Sequence, residues 1–388
     1  MIVITKKEDC CGCSACMQRC PKQCISMKVD EEGFLYPSVD DSLCIDCGLC
    51  EKVCPMLHRY EKAKPISVFA ASNPDGTEKF KSSSGGVFPM LARKIIEDGG
   101  VVFGAVWNDE WLVEHKPIET IGELSRLQGS KYLQSKIGNT YHLADNYLKK
   151  QRKVLFSGTP CQIAGLKLFL QKDYPNLLTV ETVCHSVPSP GIWKKYLSEL
   201  LRKERRNISD IRSINHRDKC SGWKGYSCSL YFKNDATYVA SKDEDLWMRG
   251  FMRGLYTRPS CVNCPAKIEH SYADITLGDL WGIARLAPEI DDDKGMSMVS
   301  VSTKKGQQAL KEIGVQALKN FTLVDIAREN PAVIRSFPQS HQRTEFYRRI
   351  NNGKSILSTI KSMSKFPLRK RVHNVILSVK SYVVSKIL

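Results

Sequence analysis

Two copies of one cysteine phrase stand near the start of the chain. The first is Cys10, Cys13, Cys16 and Cys20 followed by Pro21; the second is Cys44, Cys47, Cys50 and Cys54 followed by Pro55. In this spacing three thiolates on a tight loop hold three irons of one cubane, while the fourth, after a turn and before the proline, points at the neighbouring cluster. The ligands therefore cross over: Cys10, Cys13, Cys16 and Cys54 serve one cluster, and Cys44, Cys47, Cys50 and Cys20 the other. Zinc is the competing chemistry. It takes sets of four built from CxxC pairs, often with histidine, and two runs of three close cysteines fit that poorly. The spacing predicts two 4Fe–4S clusters.

Eight cysteines remain: Cys11, Cys24, Cys161, Cys184, Cys220, Cys228, Cys261 and Cys264. The CxxC pair Cys261 and Cys264, with Cys161 and Cys184 at predicted strand ends, can close a third four-sulfur site. Cys220 and Cys228 form a rival set in place of Cys161 and Cys184, and spacing alone leaves both the set and the choice of iron or zinc open. Cys11 and Cys24 read as small, partly buried residues.

The elements around these cysteines follow from apolar periodicity. Residues 25–40 alternate and break at Glu32-Gly33, which predicts a hairpin covering one side of the clusters. A polar, proline-ended linker at 60–65 closes a first module, residues 1–60. A mixed α/β domain is expected over 66–340. It opens with a strand at 67–72 and a Ser82-Ser83-Ser84-Gly85-Gly86 loop ahead of a helix at 87–98, then a strand at 101–107. A strand, turn and helix at 154–166 carry Cys161, and a strand within 177–185 delivers Cys184 at its end. Next come a basic helix at 191–206, a hairpin at 226–241 turning at Asn234-Asp235, a strand-like segment at 273–282, and a strand and helix within 296–313. Loops at the carboxyl ends of strands are where α/β sheets place ligands. A serine–glycine loop before a helix leaves backbone N–H groups free for an anion, although most such clusters are ordinary loops. Past Pro338 the composition turns basic, and 341–388 reads as a basic amphipathic helical tail. Leu368, Val372, Val375, Val379, Val383 and Ile387 fall at helical spacing, which suits docking on the protein's own domain or a partner subunit better than lying on a membrane surface.

Composition sets the wider bounds. With 42% hydrophobic and 26% charged residues in 388, the chain is an ordinary globular protein of two or three domains. It has no long apolar span and no signal-peptide pattern. A cytoplasmic protein is expected, peripheral to a membrane at most, with thiols kept reduced for metal rather than paired as disulfides. The formal charge is +17, less about two units for each four-thiolate cubane. The remaining excess suits an anionic partner such as a phosphorylated cofactor or substrate, an acidic redox protein or a membrane surface. No nucleic-acid motif is present, so no nucleic-acid partner is expected. GxGxxG after a strand, the P-loop phrase and HExxH are absent.

Five phrases follow one another in order: Ser82–Gly86, Gly129-Ser130-Lys131-Tyr132-Leu133-Gln134-Ser135, Ser157-Gly158-Thr159-Pro160-Cys161-Gln162, Cys184-His185 with the prolines that follow, and Cys261-x2-Cys264 with Gly278-Asp279-Leu280-Trp281-Gly282. On these the chain resembles the coenzyme F420 hydrogenase/dehydrogenase beta subunit family, preceded by a ferredoxin-type module, over residues 1–340. The resemblance implies an α+β ferredoxin-like dicluster module followed by a mixed α/β flavin-binding domain. It implies an FAD-dependent oxidoreductase that exchanges hydride with a deazaflavin or reduces an organic substrate, and such families do not fix the substrate. Carried over, Ser84, Gly85, Gly86, Ser130, Lys131, Gln134 and Ser135 contact the flavin, and Cys161, Cys184, Cys261 and Cys264 hold a third cluster. Lys131 and His185 are the catalytic candidates, one for negative charge on a reduced flavin or a phosphate, the other as proton donor. A surface lysine and a backbone-bonded histidine are the ordinary alternatives. The implied partners are a ferredoxin-like or deazaflavin electron carrier and a partner enzyme subunit. The competing reading is a non-enzymatic electron-transfer subunit linking ferredoxin to a partner enzyme.

Overall fold

The computed structural model describes residues 1–58 and 64–365. In the first module the two cysteine phrases adopt one backbone shape twice. Gly12 (φ +71) and Ser14 (φ +62) in the first copy correspond to Asp46 (φ +48) and Gly48 (φ +69) in the second. These left-handed residues turn each cysteine loop into a short helix, Ala15–Arg19 and Leu49–Lys52. Between them β1 (Ile25–Val29) and β2 (Leu35–Val39) pair antiparallel from Ile25↔Val39 to Val29↔Leu35. The turn uses Gly33 at φ +83, and the Asp30 carboxylate accepts the N–H groups of Glu32 (3.1 Å) and Phe34 (2.8 Å). The expected hairpin is therefore present. Of the linker expected at 60–65, residues 60–63 lie outside the described residues, and the 368–388 helix lies wholly outside them.

The second domain is built on eight strands with the order β13-β3-β12-β11-β7-β6-β4-β5. These are β3 (Ser67–Ala71), β4 (Val101–Trp107), β5 (Val113–Ile118), β6 (Val154–Gly158), β7 (Leu177–Thr182), β11 (Ile275–Asp279), β12 (Ser297–Val301) and β13 (Lys319–Asn320). The central four, β11, β7, β6 and β4, run parallel, while β5, β12 and β13 pair antiparallel to their neighbours. Parallel strands are covered on both faces and so read as continuous apolar runs. Alternate residues of one strand enter different layers. Val101, Phe103, Val154 and Phe156 pack against helices Thr140–Lys149 and Pro160–Leu170. Val102, Leu155, Leu178 and Val180 pack against helices Val87–Glu97 and Lys304–Glu312.

A smaller sheet, β10-β9-β8, is formed by β8 (Ile211–Asp218), β9 (Ser227–Phe232) and β10 (Thr237–Ser241). Its core includes Trp193 of helix Pro190–Lys203 and Trp247 of helix Leu246–Met252, with ring centroids 4.9 Å apart. Phe346 and Tyr347 of helix Arg343–Asn351 and Ile356 and Ile360 of helix Ile356–Met363 enter the same core. The boundary expected at residue 340 therefore does not divide the structure. The basic composition of these helices hides an apolar stripe that needs the tryptophan cluster to be covered.

The module and the domain meet without gaps. A Cβ on Gly33 would lie 2.5 Å from Gly191 Cα, so the hairpin tip and the start of helix Pro190–Lys203 touch backbone to backbone. The Ser189 hydroxyl donates to Glu32 O (2.5 Å), and Arg343 forks onto the Glu32 carboxylate at 2.8 and 2.5 Å. On the other side Gly165 lies under Cys13: a Cβ there would stand 2.9 Å from Cys13 Sγ. Glycine to alanine inside a helix normally gains about 1 kcal/mol. Here the sign reverses, and Gly165→Ala is expected to lose about 1–3 kcal/mol by overpacking, read as a lower denaturant midpoint at unchanged slope.

Candidate functional site

Cysteines of the two phrases approach one another. The Cys16 thiol is pushed up to about 12 by burial, reinforced by the charges of Cys10 and Cys54. Cys54 is likewise raised by burial, with Cys10 and Cys50 adding to it. Cys20 joins Cys44, Cys47 and Cys50 around a separate small recess closed by Ile25 and Val39. Backbone N–H groups point at sulfur in both sets, from Gly12 to Cys10 Sγ (3.4 Å) and from Ile2 to Cys50 Sγ (3.3 Å), contacts that tune a cluster's potential.

A third set forms where three loops meet. Cys161 stands in the first turn of helix Pro160–Leu170, whose Thr159 cap is a reciprocal capping box with Gln162. Cys184 follows β7, and Cys261 and Cys264 sit on the 3-10 turn Pro259–Asn263 and its end. The bridge Pro188↔Thr257 ties the second loop to the third. Burial raises the Cys261 thiol strongly, and Cys184, Cys161 and Cys264 add to it; Cys264 is pushed up to about 12 by burial, then by Cys161 and Cys184. The rival pair lies elsewhere: Cys220 is exposed, and Cys228 is buried in the small sheet with its thiol 3.5 Å from His216 O. Cys11 is a residue the sequence undervalued, because its buried side chain touches both Cys13 and Cys161 and so stands between the first set and the third. Thiols that are buried, crowded and raised by one another need a positive centre before they ionise, which a bound metal would supply. Among the described residues no group of three or more His, Cys, Asp or Glu converges tightly enough for a single ion; a cubane separates its four thiolates more widely.

Arg258 is the counterpart of these thiols. It is 1% exposed. Its guanidinium donates to Cys10 O (2.7 Å), Gln134 Oε1 (2.9 Å) and Leu35 O (3.0 Å) and lies over the Tyr36 ring at 4.3 Å. Burial opposes its charge, while Cys10, Cys11 and Cys261 hold it ionised and raise its pKa. The only sequence signal was its place three residues before Cys261.

Beside the third set the carboxyl ends of β4, β6, β7 and β11 open into a cavity of about 880 Å³. Ser84, Gly86, Ser130, Lys131, Ser135 and His185 line it. Gly85 and Gln134 do not. Gly85 N donates to Ser297 Oγ (3.0 Å), and Gln134 Nε2 donates to Cys11 O (2.9 Å) at the junction with the cysteine module. The serine–glycine loop is held from behind by Lys219, whose ammonium donates to the carbonyls of Ser84 (2.7 Å), Lys294 (2.7 Å) and Lys79 (2.8 Å). Ser83 Oγ accepts from Ser130 N (2.5 Å) and pairs with its hydroxyl (2.9 Å), joining the serine–glycine loop to the Gly129–Ser135 phrase. Lys131 donates only to the carbonyls of Gln128 (3.0 Å) and Gly129 (3.3 Å), and burial lowers it to about 7. Burial, then Lys267, holds the His185 imidazole below its ordinary value.

Several wall residues carried little signal in the sequence. Arg217 of β8 forks onto Asp279 at 2.9 and 3.0 Å and stacks over Tyr226 at 4.1 Å. His115 of β5 is bonded through Nε2 to Ser157 O (2.9 Å) and is lowered to about 4 by burial, so its ring is neutral at pH 7. Asp279 lay inside a quoted phrase, whereas Arg217 and His115 sat in strands without a motif. His115 Nδ1, Ser186 Oγ and Arg217 Nε are buried without hydrogen-bond partners, and all three residues line the cavity. Orphaned polar atoms on an otherwise largely apolar wall fit a flat, heteroatom-rich ring of the flavin kind.

Residues 151–324 match the family model for the C-terminal part of the coenzyme F420 hydrogenase/dehydrogenase beta subunit, and residues 9–57 match a 4Fe-4S dicluster domain. The chain belongs to this beta-subunit family, with the dicluster domain ahead of it. As a member it is an iron–sulfur electron-transfer oxidoreductase. Its first module is similar to Ferredoxin 7Fe of Hydrogenibacillus schlegelii, 39% identical over 57 residues, which is 14% of this chain and 67% of that protein. A chain of the F420-reducing [NiFe] hydrogenase complex from Methanosarcina barkeri superposes with a TM-score of 0.48 at 16% identity, over 75% of this chain and 94% of that one.

Removing one member of a buried charge arrangement typically costs about 3–5 kcal/mol. Arg258→Met is expected to fall in that range and to lower iron per chain, measured by unfolding and iron analysis. Arg258→Lys keeps the charge but loses the planar fork and should recover only part of both.

Proposed function

We propose that the protein is an FAD-dependent iron–sulfur oxidoreductase that passes electrons between three 4Fe–4S clusters and a flavin, which reduces or oxidises a deazaflavin or another organic substrate. One observation carries this reading: Cys161 lies against Cys11 of the first module while Cys184, of the same quartet, lines the cavity. The cysteine sets thus form one line from the module to the cavity. Clusters held there supply single-electron transfer, and a flavin in the cavity supplies the exchange between single electrons and a hydride pair.

The chain's own residues bind, orient and exclude water. Lys219 holds the serine–glycine loop through the Ser84 carbonyl, Arg217 through that of Ser83, and Asn73 through those of Gly85 and Gly86. Arg217, neutralised by Asp279, presents a flat cationic face without adding net charge. Lys131, bonded to the carbonyls of Gln128 and Gly129, is placed to meet a phosphate or the anionic edge of a reduced ring. His185 follows a cluster ligand on the cavity wall, and Ser130 and Ser135 offer hydroxyl groups. No described helix is long and apolar enough to cross a membrane.

Anaerobically purified protein should carry about twelve irons and one FAD per chain. A preparation without flavin overturns the reading; eight irons with one zinc changes only the third set. Turnover of a deazaflavin or an organic acceptor by the isolated chain separates an enzyme from a passive relay to a partner subunit. The Lys131 ammonium also sets a pH dependence. Burial lowers its pKa to about 7, so above that value an anionic cofactor must bring a proton with it, and affinity should fall as pH rises. Lys131→Met should weaken FAD binding below pH 7 and flatten the dependence above it, followed by flavin fluorescence.

A further inference from the structure

The second cysteine set, Cys20, Cys44, Cys47 and Cys50, differs from the other two in facing outward. Cys47 is exposed. Ile45, Asp46 and Cys47 form one side of the recess that these sulfurs share. Leu43 and Ile45, on either side of Cys44, are 54% and 59% exposed. The first set is covered by helix Pro160–Leu170, against which Cys13 packs at Gly165. Scattered surface leucines and isoleucines need no explanation; two of them flanking a ligand, on the one set not covered by the second domain, do.

Charge indicates what comes to this face. Residues 1–58 hold nine Asp and Glu against six Lys and Arg, inside a chain with 58 Lys and Arg against 41 Asp and Glu. The module is an acidic pole on a basic molecule, and thiolate ligation makes it more negative. Asp46 lines the recess together with Lys22 and Met1, whose ammonium lies 2.9 Å from Asp46 and 3.2 Å from Glu51, and the exposed Asp40 and Asp41 directly follow Val39 of the recess wall. Ser42 donates its N–H (3.0 Å) and hydroxyl (2.6 Å) to Asp40, and the N-terminal ammonium lies 2.9 Å from Asp46.

We propose that the face formed by Leu43, Ile45 and Cys47, with Asp40, Asp41 and Asp46 at its rim, docks a small one-electron carrier protein whose own face is basic around an apolar centre. The proposal rests on the second cysteine set holding a cluster. One electron passes between carrier and chain, one side losing what the other gains, with no bond made and no proton moved. A carrier with a basic face is drawn to this pole and repelled by the rest of the surface, so charge selects the orientation as well as the partner. A patch of this size suits the small interfaces of transient redox encounters. A carrier with an acidic face is excluded.

The test uses full-length chain purified anaerobically, its iron counted, reduced and desalted, then mixed by stopped flow with ferricytochrome c, a lysine-rimmed one-electron acceptor. The second-order rate should fall about tenfold or more from low to high ionic strength, and about tenfold at low salt in Asp41→Lys. Ile45→Gln should slow the reaction at high salt as well, where steering is screened. Iron counts on the variants show that they carry their clusters. A rate that is flat or rises with salt, or an iron-loaded Asp41→Lys that matches the parent, overturns the docking face and leaves the cluster reading intact. A preparation without iron overturns both. If a chain ending at Lys365 reacts tenfold faster than the full chain, residues 366–388 occupy the face and the proposal fails.

Discussion

Crowded sulfur is the constraint on which the rest of the structure depends. Of the three cysteine sets, the first and the third lie at the seam between module and domain while the second faces outward, and buried thiols that face one another resist ionising. Metal answers most of that resistance, and Arg258 answers part of what is left. Its guanidinium reaches the Cys10 backbone, the Gln134 side chain and the β1–β2 hairpin at once. A single planar cation thereby joins the first phrase, a flavin-domain phrase and the hairpin. The same group that relieves the charge also fixes the distance between the first and third sets.

The sheet supplies the other half of the arrangement. Parallel strands end together, so the loops after β6, β7 and β11 converge without long connections. One rim of that convergence carries Cys161 and Cys184, and the other opens on the serine–glycine loop. Sulfur chemistry and the cavity therefore share loop residues. Cys184 itself lines the cavity, and so does Ser186 two residues later.

The sequence was most legible where chemistry dictates spacing. The two cysteine phrases, the hairpin at Gly33 and the strand–turn–helix at Cys161 all depend on local geometry, and the structure has them at the expected positions. Long-range contacts were harder to read. Arg217 and His115 lie in strands whose polar residues look like solvent-facing alternation until a second sheet covers them. Gln134 belonged to a flavin phrase yet turned toward Cys11, because a seven-residue loop presents successive side chains to different neighbours. The helices after residue 340 looked like a tail because arginines dominate their composition. The apolar residues that bind them to Trp193 and Trp247 are few, and they make sense only against that aromatic surface.

The clasp at the hairpin tip carries a consequence for how the molecule is made. Glu32 is held by Arg343, 311 positions later, and Cys10 by Arg258, 248 positions later. Domains generally begin to fold from the amino end during synthesis. The module therefore emerges from the ribosome long before the groups that close over it exist. Its first cysteine set stays uncovered until helix Pro160–Leu170 has been made, and the clasp between Glu32 and Arg343 closes only with the last tenth or so of the chain.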